Sequence, residues 1–203
     1  MRMPRTAPIV LAVAAPLLLG ACSLSGMLGG GGKPPATLVT LTSEAAESDQ
    51  AVRSAAVGQT VTIATPITGQ ELSVARVPVQ VTPTDIQYVA DLQLVDSPAR
   101  LFQHLLEETI RRTTGKVVLS SEQSTLDPGV TITGVLQRFG YEASSGEVVI
   151  QYDASMVAAG GAQVETRRFT ASAPADGTAA TVAPALNRAA NQIAMDVAKW
   201  VGS

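Results

Sequence analysis

Glu147-Val148-Val149-Ile150-Gln151-Tyr152-Asp153-Ala154-Ser155-Met156-Val157 is the stretch that decides the fold. Val148, Ile150, Tyr152, Ala154 and Met156 alternate with Gln151, Asp153 and Ser155, the period-two pattern of a strand with one buried and one wetted face. Such a strand needs neighbours, and its flanks supply them. Ser144-Ser145-Gly146 before it and Gly160-Gly161 after it carry turn chemistry. Val130 to Phe139, Glu147 to Val157 and Gln163 to Ala171 therefore predict an antiparallel meander.

Outward from the meander the period changes from two to 3.6. Ser97 can cap a helix, Pro98 suits its first position, and Leu101, Phe102, Leu105, Leu106, Thr109 and Ile110 form one apolar stripe. Glu107 to Arg111 and Glu108 to Arg112 are favourable i,i+4 pairs, and Gly115 is placed to end the helix. On the other side, Thr181 to Val201 aligns Val182, Leu186, Ala189, Ile193, Val197 and Trp200 or Val201, with Pro184 tolerable in the first turn. Trp200 and Val201 are expected in the core. Two amphipathic helices and a mainly antiparallel sheet predict an α+β fold with both helices packed on one face.

Shorter strands are expected at Thr37 to Thr42, Thr60 to Ala64, Asp85 to Ala90 and Lys116 to Ser120, with Ser43 to Gln59 a loop and Leu92 to Val95 leading into the first helix. Leu72 to Val81 is also rich in β-formers, but Pro78 lacks the ladder N–H, which predicts an edge or bulged strand.

The N-terminus has a separate logic. Arg2 and Arg5 precede an apolar run from Ile9 to Leu19, long enough for a signal sequence and short for a bilayer span. The tetrad Leu19-Gly20-Ala21-Cys22 resembles the bacterial lipobox, which implies cleavage between Ala21 and Cys22 and lipid modification of the Cys22 sulfur and of the new amine. Residues 1–21 are then a lipoprotein signal peptide. Residues 22–36 follow as a lipidated Cys and flexible tether containing Gly29 to Gly32 and Pro34-Pro35, with a reach on the order of 20 Å. Residues 37–203 form the folded domain. Ser23 rather than Asp after the Cys implies onward transport to the periplasmic face of the outer membrane in preference to inner-membrane retention.

Composition narrows the function. Loss of residues 1–21 removes Arg2 and Arg5 and no acid, leaving 12 basic against 17 acidic residues, a balance unsuited to nucleic acid. Aromatics make up 3% of the chain, too few for stacking platforms for bases or sugars. His104 is the only histidine and lies on the polar side of its helix near Glu107, Glu108 and Arg111, the position of a solvated residue. With no second His and no free thiol there is no Cys-His pair and no conventional zinc set, and no Ser sits in a G-x-S-x-G elbow. Asp85, Asp91 and Asp96 match no calcium-loop spacing, and Gly29 to Gly32 lacks the Lys-Ser/Thr of a phosphate-binding loop. Arg167-Arg168 places one cation on each face of a strand, the arrangement of surface ion pairs. No catalytic residue, metal site or cofactor is expected, and the protein reads as a non-enzyme.

The order of motifs resembles a known family. A lipobox is followed by the Thr37 to Leu41 segment, the Tyr88-Val89 strand, the helix start Asp96-Ser97-Pro98-Ala99-Arg100-Leu101, and a closing helix from Ala185-Leu186-Asn187-Arg188-Ala189-Ala190 to Trp200-Val201. Together these are similar to the auxiliary lipoproteins of ABC-type transporters that work with MCE-domain (MlaD-like) proteins. The resemblance implies a component of a lipid transport system that docks or bridges the periplasmic MCE protein at the outer membrane and, through it, the ABC permease and ATPase. The Leu72 to Val81 segment and the terminal helix are the candidate docking surfaces. Phospholipid and a second copy of the chain stand as further candidate partners. An outer-membrane assembly lipoprotein of the lipopolysaccharide-assembly type is the alternative.

Overall fold

The computed structural model describes residues 37–46, 53–127, 129–158, 161 and 163–202. The expected signal peptide, the Ala21–Cys22 cleavage site, the lipidation site at Cys22 and the tether lie outside the described residues. In chain order the elements are β1 (Val61–Ile63), β2 (Ile67–Thr68), β3 (Arg76–Thr82), β4 (Asp85–Gln93), α1 (Pro98–Thr114), β5 (Val118–Leu119), β6 (Val130–Glu142), β7 (Glu147–Val157), β8 (Val164–Pro174) and α2 (Ala179–Gly202).

The sheet is organised around β6. One edge of this strand pairs antiparallel with β7 from Thr131↔Val157 to Glu142↔Glu147, and β7 pairs antiparallel with the whole of β8. The other edge is occupied in succession by β1, β2 and β3, all parallel to it, with Val61 opposite Val130, Ile67 opposite Val135 and Val79 opposite Tyr141. Pro66 separates β1 from β2, where a residue without an N–H cannot continue a ladder. β5 lies parallel on the far side of β1, and β4 antiparallel on the far side of β3.

The expected α+β class and the β6–β7–β8 meander are observed, with both helices on one face. The three longest ladders are antiparallel, while the short strands make the sheet more mixed than alternation alone conveys. Several finer expectations need correction. Thr37 to Thr42 is not a strand and makes a single parallel bridge, Val39↔Leu94. Leu72 belongs to a 3₁₀ turn, Gln70–Leu72, so the proline-containing strand begins only at Arg76. That strand is bulged on either side of Val79 but lies between β4 and β6, so it is not an edge. β4 continues past Ala90 because Asp91 turns to φ 55, absorbing the extra residues that β4 carries opposite Arg76 to Pro78.

The helix ends also differ in detail. Gly115 caps α1 in the left-handed region at φ 67, as its position requires. Ser97 makes no side-chain cap bond; its carbonyl accepts the Leu101 N–H, and its own N–H donates to Asp96 Oδ1 at 2.6 Å. Arg112 pairs with Glu108 as expected, but Arg111 also turns to Glu108, and Glu107 instead accepts a hydrogen bond from Gln103.

The core forms between the helices and the inner sheet face. Val148, Ile150, Tyr152 and Ala154 of β7 are all buried, as are the whole α1 stripe and every expected position of the α2 stripe. Phe102 of α1 meets Tyr152 edge-on with centroids 5.2 Å apart, and Trp200 of α2 packs on Phe169 of β8 at 5.6 Å. Pairs of this kind add about 0.5–1.5 kcal/mol beyond the area they bury.

Candidate functional site

The residues singled out in the sequence are not brought together. His104 is solvated, and its Nδ1 lies 3.5 Å from Glu107. Asp85 and Asp91 belong to β4, and Asp96 precedes α1. Among the described residues no group of three or more His, Cys, Asp or Glu side chains could hold a metal ion, and no helix is long and apolar enough to cross a membrane.

Arg167 and Arg168 do point to opposite faces of β8. On the outer face, Arg168 donates Nε and Nη2 to the two Asp153 carboxylate oxygens at 2.6 and 2.8 Å, and this fork holds the Asp153 carboxyl below its ordinary range. On the helix side, Arg167 lies 5.4 Å from the Trp200 ring centroid and 3.3 Å from Glu165, which also accepts the Trp200 indole N–H at 2.8 Å. Each arginine is thus committed within the fold.

The most specific polar arrangement lies where the N-terminal segment joins the domain. After its bridge to the end of β4, the chain from Thr40 to Ala45 crosses onto the two helices as a strap. Asn191 accepts the Glu44 N–H at 2.8 Å through Oδ1 and donates Nδ2 to the Thr42 carbonyl at 2.9 Å. One turn earlier on α2, Asn187 accepts the Thr42 N–H at 2.9 Å and donates to the Glu44 carboxylate at 3.0 Å. The strap's other side is held by α1, where Ser43 and Thr109 hydroxyls lie 2.9 Å apart and Arg112 donates to the Ala45 carbonyl at 2.9 Å.

A side-chain amide that accepts from one peptide and donates to the peptide two residues away supplies what a neighbouring strand would. This is why a β-rich segment pairs with helices instead of forming a ladder. Sequence reading missed the clamp. Its signal was two asparagines one turn apart beside an apolar stripe, with Asn191 itself buried.

Among the described residues two buried side-chain atoms make no hydrogen bond, Arg53 Nε and the Tyr152 hydroxyl, and only the second lies in the core. The Tyr152 hydroxyl is enclosed and makes no hydrogen bond, and burial pushes its ionisation well above the ordinary phenol value. Its ring lies over Gly134 of β6, where an added Cβ would sit 2.6 Å from Cε2 of the tyrosine and 2.4 Å from the Asp153 carbonyl.

Among the described residues, the most specific polar arrangement is therefore the one that pins the N-terminal segment to both helices. Comparison with known proteins places the chain. The family model for the ABC-type transport auxiliary lipoprotein component matches residues 40–198. The chain belongs to that family.

Membership makes the chain a lipoprotein component associated with an ABC-type transport system, anchored to a membrane, with an auxiliary part in transport. The match starts within the strap and ends inside α2, so the auxiliary lipoprotein fold comprises the sheet, both helices and the strap that ties them. A crystal structure of a protein from Xanthomonas campestris has the same fold, with a TM-score of 0.64 at 18% identity, covering 81% of this chain and 94% of that one. A second crystal structure, of an uncharacterized protein, gives 0.57 at 14% identity over 74% of this chain and 96% of that one. No curated protein sequence matches significantly.

Proposed function

We propose that this auxiliary lipoprotein is a non-enzymatic part of an MCE-type ABC lipid transport system, standing on the periplasmic face of the outer membrane and docking the periplasmic MCE protein there. Residues 1–21 are its signal peptide, Cys22 carries the lipid after cleavage at Ala21–Cys22, residues 22–36 are the tether, and 37–203 are the docking domain. Phospholipid is the proposed cargo class of the system.

The family match over residues 40–198 is the observation that carries this reading. It is supported by the position of the lipobox-like tetrad, 15 residues before Thr37. A scaffold for a large assembly needs a tether, a rigid sheet and exposed edges, and the long strand β8 offers one edge that no described strand covers.

Affinity purification of the full-length protein from detergent-solubilised membranes, with identification of co-purifying proteins and lipids, tests the assignment. Recovery of an MCE-domain protein with a permease and ATPase is expected. Recovery of envelope-assembly or peptidoglycan enzymes in their place would sink it. Intact-mass measurement of the same sample should show an acylated N-terminal Cys22 and no leader.

A further inference from the structure

Three segments meet where the tether joins the domain. The residues just after Gln93 run between the strap and the turn before β3: Val39 donates to the Gln93 carbonyl at 2.9 Å, Val95 donates to the Val39 carbonyl at 2.9 Å, and Leu94 donates to the Ala75 carbonyl at 3.0 Å. Each segment sends one residue inward, and Val39, Leu94 and Ala75 all pack on the core. Each also leaves an adjacent aliphatic residue outside. Leu38 is 53% exposed, Val95 50% and Val74 42%.

We propose that Leu38, Val74 and Val95 form a membrane seat, an apolar contact that settles onto the lipid surface when the chain is anchored through Cys22. This rests on the anchoring reading given above. The occupant is set by chain length and by where that chain ends. Only 14 residues separate Cys22 from Thr37, and Leu38 is the next residue of the fold. A spacer of 14 residues spans at most about 50 Å, and a random chain of that length averages about 20 Å, so the anchor keeps this point of the domain within that distance of the bilayer.

Tethering replaces affinity with local concentration. A short linker keeps its two ends at an effective concentration on the order of millimolar, so a contact too weak to recruit a free protein is still populated. Three half-exposed aliphatic side chains make such a contact. They would steer the domain's orientation without adding to the strength of the anchor, which the acyl chains provide. The domain's net acidity directs the contact to zwitterionic headgroups in preference to anionic ones.

Cys22 is the only cysteine in the sequence, so once it is acylated an introduced thiol can be labelled alone. The full-length lipidated variants Leu38→Cys, Val74→Cys and Val95→Cys, labelled with an environment-sensitive fluorophore, would be reconstituted in phosphatidylcholine and phosphatidylethanolamine vesicles containing spin-labelled lipid. Thr170→Cys, on the outer sheet face, serves as the reference. The three seat positions should be quenched several-fold more than the reference, and adding Val74→Asp with Val95→Asp should return the label at position 38 to water.

Quenching equal to the reference in an acylated sample would overturn the seat and leave the anchor standing. Labels shielded from water but untouched by spin-labelled lipid would overturn it in favour of a protein cover. An unmodified Cys22 in the intact mass would remove the anchor and the seat together, so the mass separates the two failures. Thermal melts of the labelled variants, expected to match the unlabelled protein at these exposed positions, report any loss of fold.

Discussion

Glu44 and Asn191 lie 147 residues apart in the chain and are joined by a 2.8 Å hydrogen bond from the Glu44 main-chain N–H to the asparagine Oδ1. The same amide donates to the Thr42 carbonyl. One buried side chain thus fixes both the position and the direction of the segment that leads out of the domain.

Asn191→Ala should free that segment without unfolding the rest. Removal of two such bonds, partly compensated by water at this half-exposed strap, predicts a loss of about 1–2 kcal/mol. Hydrogen exchange should accelerate at Glu44 and its neighbours while the β6–β7 ladder keeps its protection. Equal acceleration in both places would show that the strap is not a separable unit.

Tyr152→Phe should leave stability unchanged or raise it by about 1 kcal/mol, because it deletes an enclosed hydroxyl that has no partner. Chemical denaturation is the measurement, and a clear loss would reveal a hydrogen bond through bound water. The phenol supplies a second readout. A group whose ionisation is pushed up on folding stays neutral in the folded protein, so its linked stability is full below the ordinary phenol pKa of 10.0 and declines as pH rises above it. In an alkaline absorbance titration one of the three tyrosines should therefore ionise only on unfolding.

Gly134→Ala is expected to cost about 1–3 kcal/mol, since the new methyl meets the Asp153 carbonyl at 2.4 Å as well as the Tyr152 ring. Because one of the two obstacles is main chain, pairing it with Tyr152→Leu should restore only part of the loss. Full rescue by the double variant would place the whole conflict in the ring.

Asp176 gives a prediction in acid. Thr181 and Thr178 side chains, with the Thr178 N–H, donate to its carboxylate before α2 and lower its pKa to about 2. A depressed carboxylate contributes stability that is present above its ordinary value of 3.8 and is lost as pH falls toward 2. Relative to Asp176→Asn, the wild type should lose stability on acidification through that window. Parallel acid curves for the two proteins would show that the carboxylate's charge has no part in holding the helix start.

What could be read from the chain follows the range of the forces involved. β7 and the two helical stripes are legible because burial repeats at a fixed period along each, and Val148, Ile150, Tyr152 and Ala154, like the α1 stripe, lie inside as expected. The parallel contacts of β1, β2 and β3 were not legible: two or three residues carry no period, and their partner is a strand far along the sequence. Thr37 to Thr42 has strand composition, yet the strap's bonds go to side chains that only tertiary packing brings within reach. Of the site, the solvated state of His104 follows from its angle on the helix, while nothing in the periodicity of α2 sets Asn187 and Asn191 apart from other polar positions.

Because the strap is fastened to three separate elements, a pull arriving at Thr37 does not meet a single weak point. Val39 loads the end of β4 first, Thr42 and Glu44 load α2, and Ser43 and Ala45 load α1. Tension transmitted along the chain from an anchored N-terminus would be divided among these fastenings and could be relieved by peeling them one after another, with the sheet left intact.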